Sequence, residues 1–284
     1  MISEDNLINW SKPASDAEEK RCLHTIECIK ASINKHNFGV MGTPIVKLRG
    51  SFENNTNVKR SSDVDMYVLF EDFCYSCTSN FEKLPSSNHL GVSFNSFKNE
   101  LYNALKNDYG YTNVTLGNKS IKIDSLVKAD VVPVVKLFSP TYPEGVSFLS
   151  QSGEFIINYP EQDNKNGKNK NIETNYAYKK FVRIFKVLAN NLYEKKIINK
   201  IPSFVIESLL FNVPNYYFCG ENNTKIAKNI IAWLRYNINN YPFKEVNNIK
   251  MMFSPNVHPE QKTTRTEIAS FLLLLEAKFM NEAA

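Results

Sequence analysis

Apolar positions along the first half of the chain alternate between two rhythms. Residues 15–36, SDAEEKRCLHTIECIKASINKH, place Cys22, Ile26, Ile29 and Ile33 at helical spacing. Ser15 and Glu18, three residues apart and just after Pro13, form a capping box that sets the start of this helix. The runs PIVKL and DVDMYVLF, separated by Gly50 and a polar stretch, are short and rich in β-branched and aromatic residues, and read as strands. Residues 96–109, SFKNELYNALKNDY, return to the helical rhythm through Phe97, Leu101 and Leu105. KSIKIDSL and KADVVPVVKLF read as two further strands. Strands interspersed with helices predict a mixed α/β unit.

The rhythm changes at Pro160. The stretch PEQDNKNGKNKNIETN has no apolar stripe, carries Gly167 and several lysines, and is expected to be a surface loop. Helical patterns follow through Phe181, Phe185, Leu188 and Leu192, then, in a helix expected to open with Pro202 in its first turn, through Ile206, Leu209 and Leu210, then through Ile226, Ile230, Trp233 and Leu234. Residues 264–281 are helical in pattern as well. The expected organisation is an α/β domain over residues 1–158, including the first helix, and a mainly helical domain over residues 159–284.

Composition narrows the classes. The 284 residues are 43% hydrophobic, enough for a full core. A net charge of +5 is compatible with a polyanionic ligand but is weak for a dedicated nucleic-acid binder. The first residues, MISEDNLINWSKPASD, lack the apolar core of a signal peptide, and FLLLL is too short to span a bilayer. A soluble, cytoplasmic protein is expected. Five cysteines suit a reducing compartment, and Cys74 and Cys77 lack the second pair that a zinc site needs.

The chemistry is concentrated in LRGSFENNTNVKRSSDVDMYVLF, residues 48–70. Strand alternation puts Asp63 and Asp65 on one face, an unfavourable arrangement unless a cation neutralises it. Asp130, a lone acid in the apolar run KADVVPVV, is explained if it emerges beside that pair on a neighbouring strand. Oxygen donors of this kind suit Mg²⁺, which uses one or two carboxylates plus substrate phosphates. Three carboxylates (−3) and two Mg²⁺ (+4) leave a charge of about +1, suited to a triphosphate. Gly50 and Ser51 offer close backbone approach to a phosphate and one hydroxyl donor. Each piece alone is common; strand, Gly-Ser, Asp-x-Asp and a distant strand Asp together specify a metal-dependent nucleotide site.

At these residues the chain resembles the nucleotidyltransferase superfamily that includes DNA polymerase β. The segments NYAYKKFVRIFKVLANNL and IPSFVIESLLFNVP are similar to the bacterial cGAS/DncV-like nucleotidyltransferases, the CD-NTases of CBASS anti-phage systems. The resemblance implies a polymerase-β-like α/β (α+β) fold, a mixed sheet with helices joined to a C-terminal helical domain. It implies an enzyme that joins two or three nucleoside triphosphates, ATP, GTP or others, into a cyclic oligonucleotide with loss of pyrophosphate. It also implies two Mg²⁺ ions, with Mn²⁺ as a substitute, a downstream effector of the cyclic product, and no membrane partner. Asp63, Asp65 and Asp130 match the metal-binding catalytic acids, and Gly50 and Ser51 the triphosphate loop. Lys186 and Ser203 match residues on the triphosphate, and Phe204 falls where a tyrosine often stacks on the base. Asn55 replaces the usual glycine before the loop threonine, Thr56, a mild departure because asparagine tolerates left-handed angles.

The residues themselves leave alternatives open. Lys179, Val182, Arg183, Lys186 and Asn190 share a helix face that is either a solvated basic stripe or a phosphate contact. Ser203 is equally a simple cap, and Phe204 equally a core residue. An enzyme adding nucleotides to an RNA end or to a protein would need the same acids. The lysines of DNKNGKNKN, with Lys195, Lys196 and Lys200, suit a nucleic-acid-binding module with a degenerate site, or an activating RNA on a working synthase.

Overall fold

The computed structural model describes residues 2–59, 63–76, 94–138, 143–253 and 263–280. In chain order the helices are α1 (Glu4–Ser11), α2 (Asp16–Lys35), the single turn α3 (Gly50–Glu53), α4 (Phe94–Tyr109), α5 (Pro160–Glu173), α6 (Ala177–Glu194), α7 (Ser203–Asn212), α8 (Asn223–Asn237) and α9 (Arg265–Met280). The strands are β1 (Ile45–Arg49), β2 (Val64–Ser76), β3 (Val114–Leu116), β4 (Ile121–Ile123), β5 (Ala129–Phe138), β6 (Gly145–Leu149) and β7 (Phe155–Asn158). The chain divides into a sheet unit, Ala14–Glu53 with Ser61–Glu161, and a helical unit, Met1–Pro13 with Asn54–Arg60 and Gln162–Ala284. The main boundary thus lies three residues beyond the expected 158/159, inside the first turn of α5. Two segments depart from the expected division: residues 1–13 and 54–60 belong with the helices.

The sheet unit is built on β2 and β5, which run parallel; the other pairings are antiparallel. The order is β1-β2-β5-β4-β3, with β6 pairing the later part of β5, beyond the residues that β4 pairs, and β7 next to β6. Val64, Met66, Val68 and Phe70 are buried along one face of β2, and Phe70 stacks on Phe97 of α4 with ring centroids 4.5 Å apart. Side chains of this size contribute roughly 1.5–3 kcal/mol each when buried. Helix α2 starts at the expected Ser15–Glu18 capping box, and its Cys22, Ile26, Ile29 and Ile33 are all buried.

The helical unit closes around α6, whose Phe181, Phe185, Leu188 and Leu192 join residues of α7, α8 and α9 in one apolar cluster. Leu7 of α1 is part of it. Glu4 of α1 accepts hydrogen bonds from the backbone and side chain of both Asn223 and Thr224, satisfying the first amides of α8. Pro202 precedes α7 as its cap residue instead of opening the helix.

The expected surface loop after Pro160 is helix α5. Its contacts are polar, which is why no apolar stripe announced it. The Lys170 ammonium donates to the Val213 carbonyl and lies 5.4 Å from the Phe218 ring centroid, while the Asn166 amide donates to the Val246 carbonyl at 2.9 Å. Cys22, Cys28 and Cys219 are free thiols; Cys77, and with it the Cys74/Cys77 pair, falls outside the described side chains. No helix among the described residues is long and apolar enough to cross a membrane.

Candidate active site

Parallel pairing sets Asp65 of β2 in register with Asp130 of β5. Neighbouring strands lie about 4.8 Å apart, and side chains in register on parallel strands leave from the same face. The two carboxylates therefore stand side by side, on the face opposite Phe70. Both are half-buried. Asp63, one residue before β2 begins, is exposed, and alternation gives it the same face. Arg49 is in register with Asp65 across β1, and Lys122 with Asp130 across β4. Cations on both flanks offset part of the repulsion between the acids. The Ser120 hydroxyl donates to Asp130 Oδ1 at 3.2 Å and orients that carboxyl group.

Gly50, directly after β1 and first in the α3 turn, has φ +71° and sits directly on Asp65. A Cβ at this position would lie 2.4 Å from Asp65 Oδ2 and 3.0 Å from both Cβ and Cγ. Glycine is required twice over, for the backbone angle and for the approach. Ser51 follows in the α3 turn, half-buried. Asn55 takes φ +49°, a left-handed angle that asparagine tolerates better than most residues with a Cβ.

One step further along the same sheet face, Lys47 and Tyr67 are in register, and both donate to Glu161 Oε1, at 2.8 and 2.9 Å. Burial first, then the Glu161 carboxylate, push the Tyr67 phenol above its ordinary value, so it stays a hydrogen-bond donor.

The remaining expected residues lie in the helical unit. Ser203 is the first residue of α7 and is exposed; Phe204 is 38% exposed, so it is not a core residue. The basic stripe of α6 is not a solvated surface, because Lys179, Val182, Arg183 and Lys186 are all buried. The Lys186 ammonium donates to the carbonyl and the hydroxyl of Thr56, at 3.1 and 3.0 Å, and lies 3.5 Å from Glu207 Oε2. Arg183 donates to the carbonyls of Asn55 and Ser11, at 2.6 and 2.7 Å, and burial lowers its guanidinium to about 10. Glu207 was missed in the sequence, although it carries the signal that singled out Asp130: a lone acid in an apolar run, IESLLF.

Among the described residues no group of three or more His, Cys, Asp or Glu side chains is placed to hold a metal ion. The structure brings together a pair, Asp65 and Asp130, with Asp63 adjacent along the strand. The donor set nevertheless fits a hard divalent cation, since Mg²⁺ typically takes one or two protein carboxylates and completes its shell with substrate phosphates and water.

A mixed sheet that displays paired acids at the start of its central parallel strands, with a Gly-Ser turn packed on one of them, is the scaffold of polymerase-β-like nucleotidyltransferases. Comparison with known proteins carries this to the family. Residues 165–278 match the cGAS/DncV-like nucleotidyltransferase C-terminal helical domain. A cyclic dipurine nucleotide synthase from Elizabethkingia meningoseptica is 36% identical over 249 residues, 81% of this chain and 83% of that protein. The cyclic dipyrimidine nucleotide synthase CdnE of Legionella pneumophila is 33% identical over 95% of both chains. The solved structure of the Elizabethkingia meningoseptica CdnE cyclic dinucleotide synthase with GTP and Apcpp superposes with a TM-score of 0.82 at 34% identity, covering 98% of this chain and 99% of that one. The chain belongs to the cGAS/DncV-like nucleotidyltransferases, the CD-NTases, and is an enzyme of that class.

Proposed function

We propose that this enzyme joins nucleoside triphosphates into a cyclic di- or trinucleotide. A ribose hydroxyl of one nucleotide attacks the α-phosphorus of another, the new P–O bond forms in line with the bond to the β-phosphate, and pyrophosphate leaves. A second such transfer within the linear product closes the ring of a dinucleotide; a trinucleotide takes up one more nucleotide first, and each bond formed releases one pyrophosphate. Asp130, oriented by Ser120, accepts the hydroxyl proton. Asp65, seated against Gly50, and Asp63 complete the acidic face. Gly50 and Ser51 receive the triphosphate through backbone amides and one hydroxyl; Ser203 and Phe204, both exposed, are assigned to the triphosphate and the base by the family pattern. Mg²⁺, or Mn²⁺ in its place, held by Asp63, Asp65 and Asp130, would neutralise charge on the phosphates and lower the pKa of the attacking hydroxyl. The observation that carries this reading is the register pairing of Asp65 with Asp130 beneath Gly50.

The relatives named as cyclic nucleotide synthases support a signalling product, and we place the enzyme in the cytoplasm, in anti-phage defence, upstream of an effector that reads the product. The exposed Lys165, Lys168, Lys195, Lys196 and Lys200 suit an activating RNA; Lys170, buried, is not part of that surface. RNA binding that steepens as salt falls is expected from phosphate contacts.

The test is incubation of the protein with labelled triphosphates and Mg²⁺, with and without added RNA. A phosphatase-resistant product without an acceptor macromolecule supports cyclisation; label found only on RNA ends or on protein refutes it. Replacing Asp63 and Asp65 together by Asn should abolish product while leaving the melting temperature near wild type. Retained synthesis in that double variant overturns the assignment of the acids.

A further inference from the structure

Helix α4 buries a charge that no other charge answers. Lys98 is 4% exposed, and burial alone lowers its pKa, with no carboxylate beside it among the described residues. Its partners are two main-chain carbonyls, those of Gly117 and Asn118, each at 3.2 Å. A buried cation without a counter-charge is costly, so the place it holds needs a reason. That place is the turn between β3 and β4. The Asn118 carbonyl also accepts from the Gln151 amide at 2.8 Å, and Asn118 Oδ1 accepts from the Ser152 amide at 3.1 Å. The Gly117 amide donates across the turn to the Ser120 carbonyl at 2.8 Å, and a Cβ on Gly117 would lie 2.9 Å from that oxygen. So many bonds on four residues deliver Ser120 to a fixed place. Ser120 is 8% exposed, and extending the β4–β5 register by one residue puts its side chain on the face of Asp130, one diagonal step away. Its hydroxyl makes the one side-chain hydrogen bond that Asp130 has among the described residues, to Oδ1.

We infer that Lys98 is a positioning residue for the nucleotidyl transfer: it anchors the β3–β4 turn, the turn aims Ser120, and Ser120 fixes which oxygen of Asp130 faces the reactants. The inference rests on the proposed reaction and deepens it. Every residue in this line of contacts, from α4 to β5, lies in the sheet unit. The last torsion of an aspartate is broad, so without the Ser120 bond the carboxyl group swings. With Oδ1 held, Oδ2 is the oxygen presented to the ribose hydroxyl. Lys98 shares no hydrogen bond with Asp130, so its effect runs through the turn. A methionine at 98 keeps the apolar stem but removes a donor from each of the two carbonyls.

The experiment compares Lys98→Met, Ser120→Ala, Ser120→Thr and the double variant of Lys98→Met with Ser120→Ala. It records kcat, KM for triphosphate, melting temperature, and hydrogen exchange at the amides of Gly117, Gln151 and Ser152, which all donate around this turn. Ser120→Ala should lower kcat about 10- to 100-fold with KM within about 3-fold of wild type. Ser120→Thr keeps the hydroxyl and should stay within about 3-fold of wild type in both. Lys98→Met should lower kcat about 3- to 10-fold, less than a full 1 Å misplacement would, at unchanged KM. It should also speed exchange at all three amides. Added to Ser120→Ala it should take away no further kcat, yet lower the melting temperature as much as it does alone. A lysine that serves stability only predicts intact kcat, or the same fractional loss with and without Ser120; either result overturns the inference. Wild-type kcat in Ser120→Ala overturns it too. Should Lys98→Met not fold, Asn118→Ala loosens the same turn by removing the Oδ1 bond and carries the same expectation. Wild-type protein that makes no cyclic product refutes the reaction and the catalytic role with it, whereas unchanged exchange in Lys98→Met, in a working enzyme, refutes the anchor alone.

Discussion

Replacing Gly50 by alanine separates catalytic geometry from backbone strain. Left-handed φ costs a residue with a Cβ about 1–2 kcal/mol. The new methyl group would start 2.4 Å from Asp65 Oδ2, and the contact must open by at least 0.6 Å to reach even 3.0 Å (3.0 − 2.4). Because Asp65 Cβ and Cγ lie at 3.0 Å too, rotating the carboxylate does not relieve the clash; the whole side chain or the turn must move. Leaving a rotamer well adds about 0.5–1.5 kcal/mol. The sum, about 1.5–3.5 kcal/mol, corresponds to a melting temperature lower by about 3–14 °C in a protein of this size. A displacement approaching 1 Å of a group that positions reactants lowers turnover about 100-fold. Gly110 is the control, with φ +84° and nothing within 4 Å of an added Cβ. Gly110→Ala should lose a few degrees and keep wild-type kcat. Melting by differential scanning fluorimetry and turnover by pyrophosphate release give both numbers. Wild-type turnover in Gly50→Ala, or an equal loss in Gly110→Ala, would show that contact with Asp65 is not what the glycine serves.

Two further predictions concern pH. Burial, then the Glu245 and Glu207 carboxylates, push Asp163 up to about 7, although the Asn247 amide donates to both Asp163 and Glu245. The unfolded value is about 3.9, so the folded state holds an extra proton between the two and loses stability as pH rises through that window. Asp163→Asn should therefore raise the melting temperature at pH 8 and leave it unchanged near pH 3.5; equal shifts at both would contradict the argument. Burial tends to raise Glu4, but the bonds from Thr224 and Asn223 outweigh it and hold the carboxyl below its ordinary value. That contribution is present above the unfolded value of about 4.3 and fades as pH falls through the lower folded value. Glu4→Ala should lower the melting temperature at pH 7 by about 2–8 °C, from a capping loss of about 1–2 kcal/mol, with the gap closing in acid.

What could be read from the chain was whatever leaves a local trace. Helix α2 announced itself by its capping box and a stripe of isoleucines, and β2 by its β-branched and aromatic run. The acid at 130 stood out because a charge in an apolar strand needs a reason, and its register with Asp65 supplies one. Asn55 does take the left-handed angle that asparagine was expected to tolerate. Helix α5 left no such trace, since Lys170 and Asn166 tie it down through carbonyls 43 and 80 residues away in sequence. The α6 stripe of Lys179, Arg183 and Lys186 misleads for the same reason: periodicity shows a basic face but not the buried carboxylate and carbonyls that meet it. Membership of residues 2–13 and 54–56 in the helical unit depends on contacts at long range, apolar at Leu7 and polar at Glu4 and Asn54–Thr56, which no window of sequence contains.

That interleaving bears on how the molecule can be assembled and inherited. The path switches units after residues 13, 53, 60 and 161, so the helical unit draws on the start, an inner strap and the end of the chain. During synthesis its first helix must wait for α8 to leave the ribosome before Glu4 finds the amides it caps. Recombination at the natural seam near residue 161 would graft a tail onto a foreign strap and a foreign leading helix. Hybrid genes should survive only when all three pieces travel together.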